Sequence, residues 1–90
     1  MVVEYTILFT KEAEKDKKLL KQAGLDKQAK KILDVMMINL FQNPPRYERL
    51  IGDLEGYYSR RINIKHRIVY RVIENQKTII VHAMWTHYEK

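Results

Sequence analysis

Tyr57-Tyr58-Ser59-Arg60-Arg61-Ile62, His66-Arg67-Ile68-Val69-Tyr70-Arg71-Val72-Ile73 and Thr78-Ile79-Ile80-Val81-His82-Ala83-Met84-Trp85 are three runs rich in β-branched and aromatic residues. Asn63-Ile64-Lys65 and Glu74-Asn75-Gln76-Lys77 separate them, and gaps this short suit hairpin turns. Three consecutive antiparallel strands are the expectation. Alternation sorts the middle run: His66, Ile68, Tyr70 and Val72 share one face, while Arg67, Val69, Arg71 and Ile73 share the other. The first set reads as core facing a helical layer. The second presents two arginines outward.

Upstream, Asn43-Pro44-Pro45 breaks a helix and opens an irregular loop running through Gly52 to Gly56. Before it, Ala29, Ile32, Leu33, Met36 and Leu40 recur at three- and four-residue steps, predicting an amphipathic helix from an Asp26 cap to about Phe41. Lys27, Lys30, Lys31 and Asp34 mark its solvated face. Thr10 caps an earlier helix, with Glu12 and Glu14 in the favourable first turn, Ala13, Leu20 and Ala23 as the apolar stripe, and Gly24 as the stop. Residues 2–9 read as a further strand. The order is β-α-α-β-β-β. It predicts one α+β domain over residues 1–90, a helical hairpin on a twisted, largely antiparallel four-stranded sheet.

Ninety residues carry one modest core and exclude a dedicated cofactor domain. The chain has no cysteine, which excludes disulfides and thiolate zinc sites and suits a reducing cytoplasm. Glu4 interrupts the apolar start, so neither a signal peptide nor a membrane span is expected, and the protein reads as soluble. Net charge is +6, and every arginine falls between Arg46 and Arg71. From Tyr58 to Arg71 stand Arg60, Arg61, Lys65, Arg67 and Arg71 with no acid among them. Such a cluster fits a polyanion, because each guanidinium donates two parallel hydrogen bonds to phosphate. A solvated strand face explains it equally well.

His66, His82 and His87 have no close ligand spacing to carboxylates, so no metal site is expected. Three glycines in no phosphate-loop pattern exclude a nucleotide loop. What remains is metal-free acid–base chemistry on RNA, whose 2′-OH is a built-in nucleophile. It needs a base, an acid and a cation at the phosphate. Glu48, His87 and Arg67 are the right residue types, though composition does not bring them together.

Gly56-Tyr57-Tyr58-Ser59-Arg60-Arg61-Ile62, His66-Arg67-Ile68-Val69-Tyr70 and His87-Tyr88 together resemble the YoeB/Txe toxins of the RelE-like superfamily, a group of bacterial type II toxin–antitoxin systems. The resemblance covers about the last 35 residues. It implies a ribosome-dependent, metal-independent endoribonuclease that needs no cofactor, cuts mRNA in the decoding site of the 70S ribosome and stops translation. It also implies a YefM/Phd-like antitoxin, a homodimer by family precedent, and operator DNA bound only through the antitoxin complex. Carried over by position, Glu48, Arg67, His87 and Tyr88 take the catalytic places, and Arg60 and Arg61 fall in the RNA-facing or scaffold part of the pattern; with Lys65 and Arg71 of the basic cluster they are the expected RNA-binding residues. The family's G-x-G-x-P-E-P-L-K loop is here Asn43-Pro44-Pro45-Arg46-Tyr47-Glu48-Arg49-Leu50-Ile51, and two residues follow Tyr88. Two other readings compete. A non-enzymatic toxin acting on a protein such as DNA gyrase would not need the Glu/Arg/His set. A module repressing its own operon would need the arginine strand but not His87.

Overall fold

The computed structural model describes residues 4–39, 47–50, 52 and 56–85. Strand β1 (Thr6–Phe9) leads into α1 (Lys11–Gln22) and α2 (Asp26–Ile38), and the chain returns through β2 (Tyr47–Arg49), β3 (Tyr57–Arg61), β4 (Arg67–Ile73) and β5 (Thr78–Ala83). The sheet order is β1-β5-β4-β3-β2. Pairing is antiparallel except that β1 runs parallel to β5, with Thr6 opposite Thr78 and Phe9 opposite Val81. The helical hairpin therefore carries the chain from one edge of the sheet to the other and covers one face on the way.

Local chemistry explains the ends of the elements. The Thr10 hydroxyl accepts the Ala13 N–H, and Glu12 and Glu14 favour the positive end of the α1 dipole. Gly24 turns the chain at φ +76°, a conformation that costs glycine nothing. Asp26 is the first helical residue of α2, not its cap; Leu25 holds the cap position with no side-chain bond. The helix stops at Ile38, because Asn39 leaves the helical conformation (φ −144°, ψ 87°), ahead of the expected end near Phe41. Ala23, expected in the α1 stripe, is exposed where the hairpin turns. Between β3 and β4, the Asn63 carboxamide oxygen accepts the Lys65 and His66 N–H groups, closing the turn.

Ala13 and Leu20 of α1, Ala29, Ile32 and Met36 of α2, and Ile62, Ile68, Tyr70, Ile79, Val81 and Met84 from the sheet side form one buried cluster. Each large member contributes roughly 1.5–3 kcal/mol by leaving water. Its sheet contribution includes Ile68 and Tyr70, the face that alternation assigned to core. The sheet has five strands where four were expected. The extra one, β2, lies within the segment read as an irregular loop. Three residues are too few to show alternation, and what makes them a strand is the ladder offered by β3, with Tyr47 opposite Arg60 and Arg49 opposite Tyr58.

Candidate RNA-cleavage site

The face of the sheet opposite the helices gathers the described candidate residues Glu48, Arg61 and Arg67. Ser59 and Arg61 on β3 stand opposite Val69 and Arg67 on β4, and Glu48 on β2 stands opposite Ser59. The two hairpins thus bring one carboxylate and two guanidiniums to the same end of one face. Glu48, Ser59, Arg61 and Arg67 line a pocket of about 210 Å³. Arg67 Nη1 donates to Glu48 Oε1 at 3.4 Å, the side chains being 34% and 45% exposed. So exposed a pair contributes at most about 1 kcal/mol to stability. Its use lies elsewhere: the carboxylate is held at the pocket wall with a cation beside it.

Arg61 and Arg67 are direct cross-strand partners, and like charges so placed repel each other. An anion between them relieves that repulsion. Arg61 and Arg71 form no ion pair among the described residues, so both remain free to meet a phosphate. Lys65 is exposed in the β3–β4 turn. Arg60, counted among the expected RNA-binding residues, fits the scaffold alternative instead. It is 0% exposed, on the helix-side face of β3 with Tyr58 and Ile62, and its guanidinium lies 5.2 Å from the Tyr47 ring centroid. Strand parity decides this: neighbouring residues point to opposite faces, so Arg60 and Arg61 cannot both face one ligand.

His87 and Tyr88 lie outside the described residues. The chain leading to them is held firmly. The Met84 N–H donates to Asp16 Oδ2 of α1 at 2.9 Å, and the Trp85 indole stacks on the His66 ring at 4.0 Å between centroids. His66 Nδ1 also lies 3.4 Å from the Trp85 carbonyl oxygen.

His82 drew no functional assignment from sequence. The β4–β5 register jumps from Tyr70 opposite Val81 to Val69 opposite Ala83, leaving His82 as the extra residue of a bulge. Its ring meets the Tyr57 ring edge-on at 5.0 Å, and its buried Nε2 has no hydrogen-bond partner among the described residues. Burial, then the nearby Arg71 guanidinium, lowers its pKa below 6.5. In the folded state His82 resists the proton that the unfolded chain accepts near pH 6.5, so stability falls as pH drops below that value. The urea midpoint of the wild type is expected to decline more between pH 7 and pH 5 than that of His82→Gln. Parallel declines would show that His82 does not couple to folding.

The YoeB-like toxins of bacterial type II toxin–antitoxin systems form a family whose model matches residues 9–88. Toxin YoeB of a Synechocystis species is 35% identical over 75 residues, spanning 83% of this chain and 78% of its own. A YoeB/ParE toxin from Agrobacterium tumefaciens superposes with a TM-score of 0.84 at 27% identity, covering 92% of this chain and 99% of its own. The toxin in a heterotetrameric YoeB–YefM toxin–antitoxin complex from Staphylococcus aureus does so at 0.79 and 31% identity, covering 96% and 100%. Sequence match and fold agree: the chain belongs to the YoeB-like toxins of type II toxin–antitoxin systems.

Proposed function

We propose that this chain is a ribosome-dependent, metal-independent endoribonuclease that cuts mRNA in the decoding site and so arrests translation. The observation that carries the reading is the convergence of Glu48, Arg67 and Arg61 on one pocket, with Glu48 and Arg67 3.4 Å apart. Glu48 takes the 2′-OH proton as that oxygen attacks the neighbouring phosphorus. Arg67, with Arg61 opposite, holds the charge that accumulates on the non-bridging oxygens. As the bond from phosphorus to the 5′-oxygen breaks, His87 as imidazolium protonates the leaving oxygen, and Tyr88 orients the phosphate or the adjacent base. The products are a 2′,3′-cyclic phosphate and a 5′-OH. No electrons change hands, and the one proton taken up by Glu48 balances the one given by His87.

The ribosome supplies what a 90-residue scaffold lacks, a fixed course for a flexible strand. Positioning of this kind is worth several kcal/mol of barrier. The +6 chain is neutralised by a YefM-like antitoxin whose disordered, acidic segment orders over the arginine-bearing face, and any operator DNA is held through that complex. Toxin copies pair as a homodimer.

Mapping 5′-OH ends on mRNA held by programmed ribosomes tests the activity. The wild type is expected to give a discrete cut in the decoding-site codon, dependent on ribosomes and abolished by His87→Ala. Growth arrest by the wild type with no cut would move the target to a protein.

A further inference from the structure

The face that carries the pocket continues past it. Ser59 and Val69, opposite one another, are 2% and 7% exposed, and Ala83 beside Val69 offers only a methyl group. These covered positions have a cross-strand pair on each side. Arg61 and Arg67 stand at one end. Tyr57 and Arg71, again cross-strand partners, stand at the other, four residues farther along each strand, about 13 Å at strand rise.

The second pair differs chemically from the first. Tyr57 is half-buried and braced by the His82 ring, which meets it edge-on at 5.0 Å and 65°. The bulge in β5 aims that imidazole, and burial together with Arg71 keeps it neutral, so it braces the phenol ring without adding a charge. Arg71 is exposed and makes no ion pair among the described residues. An aromatic ring held in place beside a free guanidinium is how proteins take one nucleotide of a single strand: the base stacks on the ring, and the phosphate takes the fork of the arginine.

We propose that Tyr57 and Arg71 form a second subsite, which binds a nucleotide of single-stranded RNA roughly two positions from the phosphate held at Arg61 and Arg67. It rests on reading the first pocket as the cleavage site. The strand runs along the stretch that separates the two pairs, past Ser59 and Val69. The subsite binds and positions; it touches no reacting atom.

The test walks a single abasic residue through the positions flanking the cut in a ribosome-bound mRNA, using wild type and Tyr57→Leu. Leucine keeps the apolar bulk and removes the ring. One abasic position is expected to lower wild-type cleavage about tenfold and to leave Tyr57→Leu no worse than on intact mRNA, since both changes delete the same stack. Tyr57→Leu should raise KM with kcat nearly unchanged. Losses that multiply at every position, or a Tyr57→Leu protein that cuts like the wild type, would overturn the subsite. Free protein titrated with a 2′-O-methyl oligonucleotide separates this from the cleavage reading. Shifts of the Tyr57 and His82 ring resonances support the subsite even if no mRNA is cut, and their absence counts against it.

Discussion

Replacing Arg67 by alanine is expected to slow mRNA cleavage on the ribosome by about 10²–10³-fold while leaving the fold intact. The phosphate carries more negative charge in the transition state than before attack, so a guanidinium fixed beside it stabilises the later species more. Removing one preorganised donor of this kind costs about that factor. Stability should barely change, because the Glu48–Arg67 pair is 3.4 Å long and half in water, and its loss also relieves repulsion between Arg67 and Arg61. Arg67→Lys restores the charge but not the planar fork, and should recover part of the rate. Single-turnover cleavage with urea unfolding on the same samples reads both quantities. An Arg67→Ala protein that cuts within threefold of wild type would remove this arginine from the mechanism.

Arg60→Ala is expected to do the opposite: lower stability by about 2–4 kcal/mol and spare the chemistry. The side chain is fully buried beside Tyr47, so truncation leaves a cavity within the layer between sheet and helices. For a domain of this size that loss lowers Tm by roughly 10–25 °C. Arg60→Lys loses the flat surface that lies over the Tyr47 ring and should fall between the two. Assayed well below its melting point, Arg60→Ala should cut at near wild-type rate, whereas Arg61→Ala should not. A stable but inactive Arg60→Ala protein would return Arg60 to the RNA-facing set.

Where a signal was local, the sequence could be read. The period of β4 placed Ile68 and Tyr70 in the core and Arg67 and Arg71 on the opposite face, as the structure has them. Thr10 announced α1 through a bond spanning three residues. Arg60 was legible too: the parity that sorts β4, applied to β3, groups Arg60 with Tyr58 and Ile62 and separates it from Arg61. What was not legible depends on distant pairing. Nothing in Tyr47-Glu48-Arg49 says it will lie against β3, and that ladder is what sets Glu48 beside Arg67, 19 residues away. The bulge that singles out His82 is likewise a property of two strands in register, invisible in either alone.

The parallel ladder between β1 and β5 has a temporal meaning. Thr6 waits for Thr78, and until β5 exists the first strand has no neighbour while the helical layer lacks Ile79, Val81 and Met84 beneath it. Contacts so far apart in sequence form late and slowly, because a long loop must close before any of them forms. A nascent chain short of Ala83 therefore cannot assemble this sheet. Until synthesis has passed that strand the emerging chain is basic and without its sheet, so the fold is gained in one late step and not strand by strand.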